Sequence, residues 1–98
     1  MSTETREFII IGQDTGAGFT LWDVMPAPTD PAKRDMALEE IGVDVHDAFG
    51  SCHMEWATTA TGAVNQLLTD LREQSGIEDY ALSEASNRDA LTEDREPR

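Results

Sequence analysis

The sequence predicts a small single-domain α+β sandwich, in which the elements follow the order β-β-α-β-α and the helices cover one face of a short sheet. Three patterns predict this class: an apolar run before a glycine-rich turn, a stretch of alternating apolar and polar residues, and an apolar stripe with helical spacing. At 98 residues, the chain has the length of one domain with a modest core.

The first two strands form a predicted hairpin. In residues 6–11, Phe8 and Ile10 face one way while Ile9 and Ile11 face the other, so this strand should be central and covered on both sides. Glycines at positions 12, 16 and 18 supply the turn, and residues 19–25 predict the returning strand.

The first helix has a clear start and an ambiguous end. Asp30 followed by Pro31 is a good N-cap and first-turn signal, and the helix should reach about Ile41, with Gly42 as a possible cap. The apolar residues on both sides of Gly42 nevertheless keep helical spacing: Leu38, Ile41, Val45 and Phe49. The helix could therefore continue to residue 49 at a cost of ~1 kcal/mol for the glycine. The alternative is a short strand over residues 43–45.

The second half of the chain predicts a third strand and a second helix. The strand is indicated by alternate apolar residues, namely Cys52, Met54 and Trp56. Thr61 is the expected cap of the next helix, and Gly76 should end it. The buried stripe of this helix has i, i+3, i+4, i+7 spacing: Val64, Leu67, Leu68 and Leu71.

We place the domain at residues 1–82 and an acidic, partly flexible C-terminal tail at residues 83–98. Beyond Ile77 the sequence becomes polar and acidic, although Tyr80 and Leu82 are apolar enough to pack on the domain. The last ~10 residues are expected to fray.

Charge is the most distinctive property of the chain. Twenty acidic residues against 7 basic ones give a net charge of −13. Such a chain repels nucleic acid and anionic membranes, so we expect neither as a direct partner, and it attracts basic protein surfaces. A single cysteine, Cys52, fits a reducing compartment, and the first residues lack the pattern of a signal peptide. No apolar run approaches the ~20 residues of a membrane span, and we expect a cytoplasmic protein.

Asp14-Thr15-Gly16, after an apolar strand, resembles the catalytic loop of aspartic proteases, and Leu21-Trp22 follows as it often does in the pepsin-like members. The resemblance covers roughly ten residues and implies a catalytic aspartate in a mostly β dimer. This chain instead predicts two helices and no glycine-rich flap, and Gln13 stands where the family usually has an apolar residue. We therefore predict that Asp14 and Thr15 bond to backbone groups of a hairpin turn, and that the protein is not an enzyme.

One segment gathers residue types that ligate zinc: Asp44, His46, Asp47, Cys52, His53 and Glu55. Their spacing matches no zinc-finger or metalloprotease pattern, and Cys52 and His53 should leave a strand on opposite faces. We expect no metal or other cofactor. A metal-binding domain that uses His46, Cys52 and His53 stays an alternative.

The candidate binding residues are acidic. Between residues 35 and 47 there are five acids and no lysine or arginine: Asp35, Glu39, Glu40, Asp44 and Asp47. If the helix continues past Gly42, three of them, at positions 40, 44 and 47, share one face, away from the apolar stripe. Glu78 and Asp79 form a second candidate patch.

Small size, strong acidity and the lack of a catalytic constellation favour a non-catalytic binding protein. We expect an inhibitor that occupies a basic, nucleic-acid-binding surface of a partner protein. The analogy, in size and charge alone, is with phage anti-CRISPR proteins, DNA mimics, antitoxins and immunity proteins. The other alternative is a structural or accessory domain of a halophile, in which acidity serves solubility.

Overall fold

The computed structural model describes residues 4–95 and has the predicted α+β class and element order. Strands β1 and β2 are followed by helix α1, strand β3, helix α2, a short strand β4 and a C-terminal 3-10 helix. Their bounds are Arg6–Asp14, Gly18–Pro26, Pro31–Asp47, Ser51–Ala57, Ala60–Ser75, Ala81–Leu82 and Arg88–Arg95, respectively.

The strands form one four-stranded mixed sheet in the order β3-β1-β2-β4. β1 pairs antiparallel with both β2 and β3, and β4 pairs parallel with β2. The β1–β2 register shifts after Ile11, which faces Asp23 while Gly12 faces Leu21, so Trp22 is the extra residue of a bulge. A Cβ on Gly12 would overlap the Thr20 carbonyl oxygen, so only glycine fits opposite the bulge.

Helix α2 covers the face of the sheet to which Phe8 and Ile10 point. The buried residues of this core are Phe8, Ile10, Phe19, Leu21, Val24, Ala60, Ala63, Val64, Leu67, Leu68 and Tyr80. Three of the four residues in the predicted stripe of α2 are therefore fully buried, and the fourth, Leu71, packs against the cluster.

Helix α1 lies on the opposite face, which corrects the expectation that the helices share one side. Side chains alternate along a strand, so Glu7 and Ile9 point away from Phe8. The Arg34 guanidinium of α1 binds Glu7, and Ile9 is only 1% exposed although it lies outside the α2-side core. Because β1 is apolar on both faces, each face needs its own cover.

Helix α1 continues through Gly42 to Asp47, so the alternative of a short strand over residues 43–45 is wrong. The predicted N-cap is confirmed, because the Asp30 carboxylate accepts a hydrogen bond from the Lys33 amide at 3.0 Å. At the other end, Phe49 has φ 61°, and the Gly50 amide returns to the Val45 carbonyl at 2.8 Å. Glycine at position 50 lets the Trp22 ring approach the backbone there.

Helix α2 begins two residues earlier than predicted. Thr59, and not Thr61, is its N-cap and accepts a hydrogen bond from the Gly62 amide at 3.0 Å. Gly76 ends the helix in the left-handed conformation, as predicted. Within residues 4–95, neither helix combines the length and apolarity that would let it cross a membrane.

The segment after α2 returns to the edge of β2. Tyr80 is buried and Leu82 packs against the core, as expected, while the short strand β4 was not predicted. The Ser83 amide donates to the Phe19 carbonyl at 2.9 Å, and the Asn87 amide donates to the Leu21 carbonyl at 2.7 Å. Ser83, Ser86 and Asn87, which the sequence assigned to the tail, are therefore hydrogen-bonded to β2, while residues 96–98 lie outside the described residues.

Truncation of the α2 stripe should destabilise the fold. Leu67→Ala removes a side chain that is 3% exposed, so the free energy of unfolding should fall by about 2–5 kcal/mol. Met36→Ala, at a site that is 61% exposed, should change it by less than ~0.5 kcal/mol and serves as the control. Urea denaturation measures both, and equal losses in the two variants would contradict the assigned core.

Candidate functional site

The five candidate carboxylates on α1 are all exposed to solvent. We call Asp35, Glu39, Glu40, Asp44 and Asp47 the acidic face of α1. The inward side of the same helix carries the half-buried Leu38 and Ile41 and the buried Val45. Because the helix runs unbroken through Gly42, its 3.6-residue period holds these two sets on different sides.

Two large apolar side chains lie among the carboxylates. Met36 is 61% exposed and Val43 is 59% exposed, and together with Glu39, Glu40 and Asp44 they line a shallow surface groove. They are seven residues apart, which places them about 10 Å from each other along one side of the helix. The surface therefore combines negative charge with exposed apolar area.

Of the two basic residues in the first turn of α1, Lys33 is exposed and Arg34 is directed away from the acidic face. Arg34 donates two hydrogen bonds to the Glu7 carboxylate, from Nε at 2.6 Å and from an Nη at 3.0 Å. This pairing lowers the pKa of Glu7 and raises that of Arg34. Among the side chains that the structure describes, those of residues 4–91, none forms an ion pair with the five carboxylates of the acidic face.

The second candidate patch is separate from the first in the fold. Glu78 and Asp79 are exposed in the loop between α2 and β4, which belongs to the α2 side of the sheet. The structure thus groups five of the seven predicted binding residues on one helix and places the other two on a different element.

Asp14 has the structural role predicted for it. Its Oδ1 accepts hydrogen bonds from the Gly16 amide at 2.8 Å and from the Tyr80 hydroxyl at 3.0 Å. Thr15 Oγ1 donates to the Gly18 carbonyl at 2.9 Å. Burial, reinforced by the bond to Asp14, raises the pKa of Tyr80 to about 12. Asp14 therefore ties the hairpin turn to the segment that follows α2.

The three residues of the metal alternative are not brought together. Cys52 and His53 point to opposite faces of the sheet, and His46 is exposed on α1. The His53 Nε2 lies 2.8 Å from Ser51 Oγ, and the ring meets Phe19 edge-on. No cluster of three or more candidate ligands occurs in the described part of the chain.

A pair of carboxyl groups joins β3 to α2. Burial raises the pKa of Glu55 to about 7, and both a hydrogen bond with Asp70 and the negative charge of Asp70 act in the same direction. Glu55 faces α2 because it is opposite Phe8 in the β1–β3 register. On the same face, burial lowers the pKa of His53, an effect that Asp14 opposes.

The chain matches no protein-family model, and neither the curated proteins nor the solved structures include a significant match.

Sequence reasoning found the carboxylates of the acidic face but missed the apolar residues among them. Met36 precedes Leu38 by two residues and Val43 precedes Val45 by two, and two residues turn a helix by about 200°. The helical period that defines the stripe of Leu38, Ile41 and Val45 therefore also predicts the exposure of Met36 and Val43. The Glu55–Asp70 contact had no comparable signal, because it joins a strand to a helix that is distant in sequence.

The Glu55–Asp70 pair should make stability depend on pH. Because the pKa of Glu55 is about 7 in the folded protein, against ~4.3 in an unfolded chain, the folded state binds the extra proton between these values. Its contribution to stability is present at low pH and is lost as pH rises through about 7. We expect Glu55→Gln to lose less unfolding free energy than wild type between pH 5 and pH 8. Glu73→Gln, an exposed change of equal charge, should follow wild type, and an equal pH profile for Glu55→Gln would contradict this linkage.

Proposed function

We propose that this protein is a non-catalytic inhibitor, which places the acidic face of α1 on a basic, nucleic-acid-binding surface of a partner protein. The observation that carries the proposal is that five exposed carboxylates, none in an ion pair with the described side chains of residues 4–91, surround the exposed apolar side chains of Met36 and Val43.

The spacing of the carboxylates supports imitation of a phosphate backbone. From Asp35 to Asp47 the helix rises ~18 Å at ~1.5 Å per residue, so the five charges have a mean axial spacing of ~4.5 Å. One strand of B-DNA carries a phosphate every ~3.4 Å along its axis. A groove lined with lysine and arginine that accepts one such strand would meet a similar density of negative charge on α1.

Met36 and Val43 would contribute affinity that exposed charges alone do not provide. Exposed ion pairs contribute little net affinity, because solvation and salt offset most of the attraction. Burial of Met36 and Val43 would add an apolar contribution of about 25 cal/mol per Å² removed from water. The partner surface should therefore have an apolar patch surrounded by basic residues. Glu78 and Asp79 would contact the partner only if it also reaches the α2 side.

Solubility in concentrated salt is the competing explanation for the acidity. It treats all exposed acids as equivalent, whereas the inhibitor proposal assigns the energy of binding to one face. The two explanations also differ in what added salt changes. The inhibitor proposal predicts that salt lowers the affinity for a partner, whereas the solubility explanation predicts that salt raises the stability of the fold itself.

Charge reversal on α1 tests the proposal. The wild-type chain, immobilised, is used to recover partners from a lysate of the source cells, and their affinity is then measured with purified proteins. Glu40→Lys/Asp44→Lys should weaken binding by slowing association, and wild-type affinity should fall with added salt. Duplex DNA should compete with the wild-type chain for the partner.

The matched control is Glu73→Lys/Glu84→Lys, which reverses two exposed acids elsewhere. Both double variants change the net charge by +4, from −13 to −9. If the two lose affinity equally, the effect is one of total charge and the assigned face is wrong. If neither loses affinity, while the unfolding free energy of the wild type falls steeply at low salt, the halophile explanation replaces the inhibitor.

A further inference from the structure

The two edges of the sheet are protected very differently. One edge is β4, which has only two residues and is followed by a segment hydrogen-bonded to β2. The other edge is β3, which has seven residues, Ser51–Ala57, and no strand beyond it among residues 4–95. Folded proteins usually block such an edge with proline, lysine, a bulge or a very short strand. β3 has none of these four devices, and the one acidic residue that it carries, Glu55, points inward to α2.

An exposed aromatic side chain lies on the same edge strand. Trp56 is 63% exposed, on the α1 side of the sheet, directly opposite Glu7 in the β1–β3 register. Cys52 and Met54 share this face by alternation and are only half-buried. No strand among residues 4–95 pairs with this edge, and an unpaired edge with an apolar row is suited to the addition of a strand.

We propose that β3 pairs antiparallel with β3 of a second copy of this chain, with Met54 opposite Met54 of the partner's strand at the two-fold axis, which forms a continuous eight-stranded sheet. This register makes the strand complementary to itself. On the α2 side, His53 of each copy faces Glu55 of the other, and on the α1 side, Cys52 faces Trp56.

Neighbouring registers of the same symmetry are less favourable. An axis at position 55 would place two glutamates directly opposite each other, and an axis at position 53 would pair two histidines and leave Trp56 beyond the end of the paired strand. Only the axis at position 54 places a histidine opposite a glutamate in both copies. It also keeps Cys52, Met54 and Trp56 of the two strands in one apolar row.

Cysteine cross-linking tests the register. In Cys52→Ser/Met54→Cys, the new thiols would lie on directly opposite residues, whose Cα atoms are ~4.5–5.5 Å apart, within the range that a disulfide requires. Mild oxidation should therefore produce a covalent dimer. The wild-type chain is the matched control, since it also has one cysteine. Its two Cys52 residues would be offset by four positions, or ~13 Å, and should not cross-link.

A second variant tests the surface without cysteine chemistry. Light scattering of wild type should give twice the chain mass of 10.8 kDa, and association should strengthen with salt because two chains of net charge −13 repel each other. Trp56→Lys adds the edge-blocking charge that β3 lacks and should weaken dimerisation by about tenfold or more. Met36→Lys, on the outer side of α1, should leave it unchanged.

Circular dichroism and a thermal melt of each variant would confirm that the chains remain folded. A wild-type chain that stays monomeric at high concentration and high salt would overturn the proposal, even if β3 accepts a strand of another protein. Cross-linking through Cys52 as fast as through position 54 would overturn the register.

Discussion

The fold depends on the burial of β1 from both sides. Phe8, Ile9 and Ile10 are consecutive and at most 3% exposed, although neighbouring side chains on a strand point in opposite directions. This is possible only if β1 is central, with β2 and β3 beside it and a helix on each face. The position of both helices, and therefore the exposure of the outer side of α1, follows from this requirement.

The two helices fulfil this requirement to different degrees. α2 inserts a full row of buried side chains into the core, whereas Val45 is the one buried residue among the 17 of α1. α1 is held by a modest apolar contact and by the Arg34–Glu7 pair at its start. Most of its surface is therefore available to a partner, and mutations on its outer side should perturb the fold little, which makes the candidate surface accessible to experiment.

The sequence predicted the parts that depend on local patterns. Three such features were predicted: the alternation in β3, the apolar stripe of α2 and the cap at Asp30. Each is defined by residues that are close to one another in the sequence. The course of α1 past Gly42 was left open, because a glycine cost of ~1 kcal/mol is comparable to the gain from one more apolar contact. Burial of Val45 against the sheet decides it. β4 and the Glu55–Asp70 contact could not be predicted, since both depend on how distant segments meet.

The placement of charge on α1 is unfavourable for the helix itself. Asp35 and Glu39, like Glu40 and Asp44, are four residues apart, and each such like-charged pair costs an isolated helix ~0.2–0.5 kcal/mol. Asp44 and Asp47 also lie near the negative end of the helix dipole, whereas at the positive end the N-cap Asp30 is followed by a first turn without acids. Solubility requires acids on the surface but not in these positions. Residues that cost stability where they stand are typical of surfaces retained for binding, and this distribution favours a partner for α1 over a general role for its charge.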